Sequence, residues 1–370
     1  MSASALLHSI EEIFSDAGIT INGPHPYDIR INNESFYQRV TADGSLGFGE
    51  AFMDGWWDCE ALDELFFRLM CSDVESKVRR NWKLLLRAAV YNAGSKARAF
   101  QVGERHYDIG NDLYQAMLGK SMCYSCGYWK NAGNLDEAQK AKLELICRKL
   151  GLRPGDRILD IGCGWGSLIR HAAEAHGVTA VGITVSKEQA AFARESCAGL
   201  PVEIRLQDYR DIDEPFDHIA SVGMFEHVGY KNYRTFMKTV RNCLKEDGLF
   251  LLHTIGENST KIAMDPWFDR YIFPNALIPS PRQITTAAEG LLLMEDWQNF
   301  GPYYDTTLSA WFANVTRNWN TLQHRYDDRF YRMWKYYLLS SAGSFRARSL
   351  QVWQIVFSPR GVRGGYQSIR

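Results

Sequence analysis

An α/β fold built on a parallel sheet is predicted by three features of this 370-residue chain. Short apolar, β-branched runs recur between residues 157 and 253, and helical patterns separate them. That rhythm is the signature of a sheet with helices on both faces. The first run, Ile158-Leu-Asp-Ile161, breaks at once into Gly162-Cys-Gly164-Trp-Gly166, and Leu168, Ile169, Ala172 and Ala173 then follow at helical spacing. Strand, glycine turn and helix bring free backbone N–H groups close to a ligand. The third feature is length, which allows a large core in one big domain or two unequal ones.

Composition narrows the function classes. With 42 Lys and Arg against 43 Asp and Glu, the net charge is −1, so no global field draws in nucleic acid. Eight cysteines are scattered without paired metal spacing, which suits a reducing cytosol. Cys123 and Cys126 form a C-x-x-C with no second pair, so no metal is expected. Aromatic residues are abundant, with 11 Trp, 18 Tyr and 19 Phe, fitting a bulky core or a site that handles apolar or cationic groups. No apolar run is long enough to span a bilayer, and no signal peptide is expected at the N-terminus. Any membrane contact is therefore expected to be peripheral.

The elements follow in order. Leu6, Leu7, Ile10, Ile13, Phe14 and Ala17 share one helical face over residues 5–17, and Gly18 ends it. Short alternating segments follow at Ile19–Asn22 and Asp28–Asn32, and Gly44 to Gly49 read as a turn-rich piece. Tandem Trp56 and Trp57 fit a core, an apolar ligand or another subunit. Residues 74–92 read as a helix carrying Lys77, Arg79, Arg80, Lys83 and Arg87 beside Trp82. Such a helix is a solvated charged face or a peripheral membrane contact. A boundary near residue 105 divides the chain into 1–105 and 106–370. Residues 135–150 form a helix with Leu135, Ala138, Ala141, Leu145 and Ile146 inward, closed by Gly151. The strands are Ile158–Ile161, Ala180–Thr184, Glu203–Leu206, His218–Val222 and Leu249–His253. Residues 264–282 are aromatic and proline-broken, suited to a substrate-lining insertion.

Ligands of such sheets sit beyond the carboxyl ends of the strands. The candidate sites are therefore the glycine turn, Thr184, Gln207-Asp208, Glu226-His227 and His253. Glu226 with His253 can hold a small anion or serve as a base, although a histidine on an apolar strand is often structural. Asp208 can accept from an adenine amine, and Thr184 with Gln189 can hold a ribose or an amino-acid end. Thr184 to Gln189 also reads as a helix start capped by Ser186. The G-x-G-x-G spacing, with Asp160 two residues ahead, is neither the dinucleotide fingerprint nor a P-loop. It resembles motif I of class I S-adenosylmethionine (SAM) methyltransferases.

Six ordered segments extend that resemblance. His106 to Asp112, Tyr124-Ser-Cys126, Leu159 to Gly166, Gly223-Met-Phe-Glu-His-Val228, Leu252-His-Thr-Ile-Gly256 and Tyr304-Asp-Thr-Thr307 look like cyclopropane-fatty-acyl-phospholipid synthases, of the phospholipid type rather than the mycolic-acid branch. The resemblance implies a class I SAM-methyltransferase sheet with a smaller N-terminal lipid-binding or dimerisation domain. It implies that the alkene of a cis-unsaturated phospholipid acyl chain takes the SAM methyl, and that a bound bicarbonate removes a proton as the ring closes. By motif, Cys126, Glu226, His253, Tyr304 and the backbone of Ile255 would cage the bicarbonate. SAM would lie against Tyr124, Ser125, Asp160, Gly162, Gly164, Gly166, Thr184, Gln189, Gln207, Asp208 and Tyr209. A relative that leaves a methyl branch instead of a ring is the alternative. The implied setting is a cytoplasmic homodimer held peripherally at the inner membrane surface. Some close relatives carry a Cys in the segment Tyr337 to Gly343, where this chain has Ser341, so a nucleophile there is not expected.

Overall fold

The computed structural model describes residues 3–72 and 110–370, with side chains from Ile10 onward. The basic helix expected over 74–92, the boundary near residue 105 and most of the His106–Asp112 segment lie outside the described residues.

The five strands read from the sequence form, four of them one or two residues longer than expected and the fifth, expected over Leu249–His253, extended to 13 residues. They are β3 (Arg157–Ile161), β4 (Thr179–Thr184), β5 (Val202–Leu206), β6 (Phe216–Val222) and β7 (Leu244–Gly256). All neighbouring pairs among them are parallel, with Leu159 opposite Val181 and Ile158 opposite His218. The sheet is nevertheless mixed. β8 (Leu293–Asn299) and β9 (Gln351–Ser358) add antiparallel strands beyond β7, giving the order β5-β4-β3-β6-β7-β9-β8. A purely parallel sheet is thus corrected by one antiparallel edge, a common addition to doubly wound folds.

Two apolar layers sandwich the sheet. Leu159 and Ile161 face one layer with Phe236, Met237 and Val240 of the helix Tyr233–Cys243. Ile158 faces the other, with Ile146, Leu168 and Ile169. Successive residues of β3 enter opposite layers, as the two-residue period of a strand requires.

The N-terminal elements are α1 (Ala3–Asp16), α2 (Phe36–Met53) and α3 (Leu62–Cys71), with a short hairpin pairing β1 (Arg30–Ile31) and β2 (Trp57–Asp58). The piece read as turn-rich is helical here, and only Gly44 leaves helical geometry, at φ 57°. The glycines serve close approach instead. A Cβ on Gly49 would fall 2.8 Å from Cγ of Trp267. Trp57 is fully buried, and Trp56 is half-buried with the Arg39 guanidinium 4.7 Å over its ring.

Further on lie α4 (Asn111–Leu118), α5 (Leu135–Leu150), α6 (Ser167–His176) and α7 (Lys187–Ser196). Short helices follow at Pro266–Tyr271 and Pro281–Ala288, and two long ones, Gly301–Leu322 and Asp328–Arg346, close the list of helices named here. Asp265 caps the first of these and Ser280 with Gln283 forms a capping box on the second, so the prolines start helices rather than only breaking them. Trp267 is buried against Met53 and Tyr336, so it belongs to the core. Residues of α1, α2 and α3 share one apolar cluster with Leu113, Trp311, Trp334 and Tyr336. Among the described residues no helix is long and apolar enough to cross a membrane.

Candidate active site

The chain turns from β3 to β4 and β5 on one side, then to β6 and β7 on the other. Ligand crevices open at such a switch point. A cleft lies there, with about 1220 Å³ of space including its mouth, between the loops after β3, β4, β5 and β6. Tyr124, Ser125, Asp160, Gly162, Gly164, Thr184, Gln189, Gln207, Asp208 and Tyr209 all line it. Gly166 does not. Its added Cβ would press on Ala193 Cβ and Cys197 Sγ at 3.2 Å, so it lets α6 approach α7.

The glycine turn is shaped by positive φ. Gly162 sits at φ 86° against Met224, and Gly164 at φ 54° faces open space. A side chain at Gly164 would be strained and would project where a ligand approaches. Asp160 is buried with Oδ1 lacking a partner, and burial raises its pKa to about 7 against the pull of Lys142. An unpartnered carboxyl oxygen in a cleft of this size suits a hydroxyl- and amine-bearing nucleoside such as SAM.

Beyond β4 both readings of Thr184 to Gln189 hold together. Ser186 caps α7 by accepting from the Gln189 N–H at 3.3 Å, and the Thr184 hydroxyl donates to Gln189 Oε1 at 2.9 Å. Asp208 accepts from Arg210 Nε at 2.7 Å and Nη2 at 2.8 Å. An adenine amine would therefore share a carboxylate that already holds a guanidinium, which a four-lone-pair acceptor permits.

The floor is held from α5, a feature missed in the sequence. Lys142 Nζ donates to Ser125 Oγ at 2.9 Å, and Gln139 Nε2 donates to the Ser125 carbonyl at 2.8 Å. Both side chains are buried. The only signal was two polar residues amid the apolar spacing of α5. His227 also lines the cleft, its pKa lowered by burial to about 4.

None of Cys126, Glu226, His253, Ile255 and Tyr304 lines the cleft itself. Ser125, Gly223 and His227 do, so Cys126 and Glu226 follow or precede lining residues in the chain. Glu226 lies in a 3-10 turn after β6, and its Oε1 accepts from the Ile255 N–H of β7 at 2.6 Å. That backbone donor is thus engaged by Glu226. The other oxygen, Oε2, is buried without a partner, and burial raises the carboxyl to about 7 although hydrogen bonds from Ile255 oppose it. His253 is fully enclosed, and burial holds its pKa well below the ordinary value, with Lys142 and Lys149 adding to the effect. Gln354 Nε2 of β9 lies 3.2 Å from His253 Nδ1, and with the amide in this orientation Nδ1 accepts and Nε2 carries the ring proton. Gln354 was not foreseen, because β9 was not.

Thr307 ties the segment after Cys126 to the helix Gly301–Leu322. The Thr307 hydroxyl oxygen accepts from the Gly127 N–H at 3.1 Å and from Trp129 Nε1 at 2.8 Å. Burial pushes the Cys126 thiol far up, so it stays protonated. Tyr304 packs edge-on to Trp311 at 5.8 Å, and Tyr124 stacks at a tilt on the same indole at 5.3 Å.

A model of mycolic acid cyclopropane synthetases matches residues 94–355. The chain belongs to this family. The cyclopropane-fatty-acyl-phospholipid synthase of Escherichia coli K12 is 52% identical over 362 residues, covering 97% of this chain and 94% of that one. A probable fatty acid methyltransferase of Mycobacterium tuberculosis is 34% identical over 298 residues, covering 78% of this chain and 69% of its own. Among solved structures, a mycolic acid cyclopropane synthase complexed with SAH and CTAB superposes with a TM-score of 0.65 at 32% identity, over 70% of this chain and 97% of that one. This family member therefore has the class I SAM-dependent methyltransferase fold and is a SAM-dependent enzyme.

Proposed function

We propose that the protein transfers a methylene group from SAM to the cis double bond of an unsaturated phospholipid acyl chain, forming a cyclopropane ring. The observation that carries this reading is where the similarity extends. The phospholipid synthase covers 97% of the chain, N-terminal region included, whereas the mycolic acid synthase structure covers 70%. That extent, together with 52% identity against 34% for the fatty acid methyltransferase, supports a phospholipid substrate.

When bound, SAM supplies an electrophilic methyl group. The loop from Gly162 to Gly164 would give it room, Asp160 would offer it an unpartnered carboxyl oxygen, and Lys142 with Gln139 fixes Ser125 in the lining of the same cleft. The aromatic faces of Tyr124, Tyr304 and Trp311 favour positive charge developing on the acyl chain. A bicarbonate held by Cys126, Glu226, His253 and Tyr304 would supply the base. Two like charges would oppose each other there. A Glu226 carboxyl raised to about 7 relieves this, because it keeps its proton on a large share of molecules near neutral pH. Oε2 can then donate to an anion, as can Nε2 of the neutral His253. The Ile255 N–H serves the anion only by sharing with Glu226 Oε1.

A second product is supported by the fatty acid methyltransferase relative, whose similarity spans most of the chain. Both products arise from one methyl transfer and differ in whether the ring closes. Incubation with SAM and vesicles of a cis-monounsaturated phospholipid, followed by mass spectrometry of the released fatty acids, separates them. One added CH2 with no alkene and no further hydrogen is the expected result. Added CH2 with a retained or reduced alkene would give the methyl-branching reaction. No addition despite proven SAM binding would reject a phospholipid substrate.

A further inference from the structure

Away from the cleft, α5 and α6 pack side by side and bring four ligand-type side chains together. Cys147 of α5 and His171 and His176 of α6 present a thiol and two ring nitrogens that all lie within 4.8 Å of one another. Glu144, one turn before Cys147, places Oε2 3.1 Å from Nε2 of both histidines. Cys147 is buried, and the histidine side chains are only 15% and 18% exposed.

We infer that Glu144, Cys147, His171 and His176 form a structural zinc site. One thiol, two imidazoles and one carboxylate are the N, S and O donors that suit Zn²⁺. The spacing of the carboxylate from the two imidazoles agrees with a tetrahedron. Arms of about 2.0 Å to nitrogen and oxygen set donor separations of about 3.3 Å, close to the two 3.1 Å spacings. The rings lie 6.2 Å apart between centroids, at 64° to each other, and both Nε2 atoms reach Glu144 Oε2 without the rings stacking. The ligands come two from each helix, as Glu144-x-x-Cys147 and His171-x4-His176, and the packing of the two helices brings the pairs together.

The position gives the site a task. α5 carries Gln139 and Lys142, which hold Ser125, and α6 begins directly after the glycine turn. An ion joining Glu144 and Cys147 to the far end of α6 ties together the two helices whose other parts shape the cleft.

The test uses the full-length protein, stripped with a chelator and dialysed. Calorimetric titration with Zn²⁺ should show one ion per chain and a raised melting temperature. Titration with Co²⁺ should give tetrahedral d–d bands and a thiolate-to-cobalt charge-transfer band. Cys147→Ser should remove the charge-transfer band. His176→Gln, at the end of its helix, should weaken Zn²⁺ binding at least about tenfold while SAM binding, measured in parallel, reports an intact fold. If Cys147→Ser fails to fold, the wild-type cobalt spectrum and His176→Gln still decide. Absence of stoichiometric Zn²⁺ binding, a cobalt spectrum without the thiolate band, or unchanged affinity in His176→Gln would overturn the site and leave a Glu–His hydrogen-bond cluster in its place.

Discussion

Glu226 is the residue on which most of the chemistry turns. Its carboxyl has one oxygen fixed by the Ile255 N–H and one oxygen with no partner, in a fully buried setting. Replacement by Gln keeps the shape and removes the titrating group. Turnover should fall by at least about a hundredfold, in the range of a lost acid–base or electrostatic contact, while calorimetric SAM affinity stays near wild type. Wild-type turnover in Glu226→Gln would remove this residue from the reaction. The same carboxyl has a signature in stability. Its pKa rises from 4.5 in the unfolded chain to about 7 in the fold, so the folded protein holds a proton that the unfolded chain releases between those values. Stability from this group is therefore fully present below pH 4.5 and is lost as pH rises to 7. The loss is on the order of 3 kcal/mol. Urea unfolding at pH 5 and pH 7 should show Glu226→Gln gaining on wild type by a comparable amount. Parallel curves would mean the carboxyl is not held neutral. Glu226, His253 and the glycine turn were legible in the sequence because strand ends expose them in order. Gln354, Gln139 and Lys142 were not, because each acts through a neighbour on another element and no local spacing records that.

At the scale of elements, legibility followed periodicity. Most of the parallel strands were readable because burial on both faces makes them apolar runs, while β5 alternates, with Ile204 its one buried residue. β8 was hidden by its mixed pattern, Leu293-Met-Glu-Asp-Trp-Gln-Asn299, and β9 is apolar enough to pass for any buried segment. The pairing that joins them to β7 is long-range and leaves no local mark. Helix crossings are equally silent. Gly343 of the helix Asp328–Arg346 lies where α3 crosses, and a Cβ there would meet the Asp63 carbonyl and fall 2.7 Å from Phe67 N. Both are backbone atoms of a helix and cannot swing aside. Gly343→Ala should therefore destabilise by about 1–3 kcal/mol by overpacking, even though alanine favours the helix by up to about 1 kcal/mol. Thermal unfolding should show a melting temperature lower by several degrees. An unchanged or higher value would mean that α3 shifts freely at this crossing.

For the molecule as a whole, the open question is whether the N-terminal region is a separable lipid-binding unit or part of one body. The shared core argues for one body. Trp57, Phe36 and Phe52 are almost wholly buried in a cluster that also holds Trp334 and Tyr336. The helix Asp328–Arg346 grips the region through charges as well. Arg346 pairs with Asp63 at 2.6 Å, Arg332 with Asp58 at 2.7 Å and Arg329 with Asp54 at 2.8 Å. These pairs are partly exposed and contribute little singly, so the apolar contacts decide. Burying each large side chain is worth roughly 1.5–3 kcal/mol, and a whole domain is stable by only about 5–15 kcal/mol. Losing the N-terminal partners of Tyr336 and Trp267 would use up a large part of that margin. Deletion of residues 1–72 should therefore leave a chain that binds an apolar dye, melts without a sharp transition and has lost SAM affinity along with its action on vesicles. A soluble truncated protein with wild-type SAM binding and a cooperative melt, impaired only on vesicles, would make the N-terminal region an independent lipid-presenting domain instead.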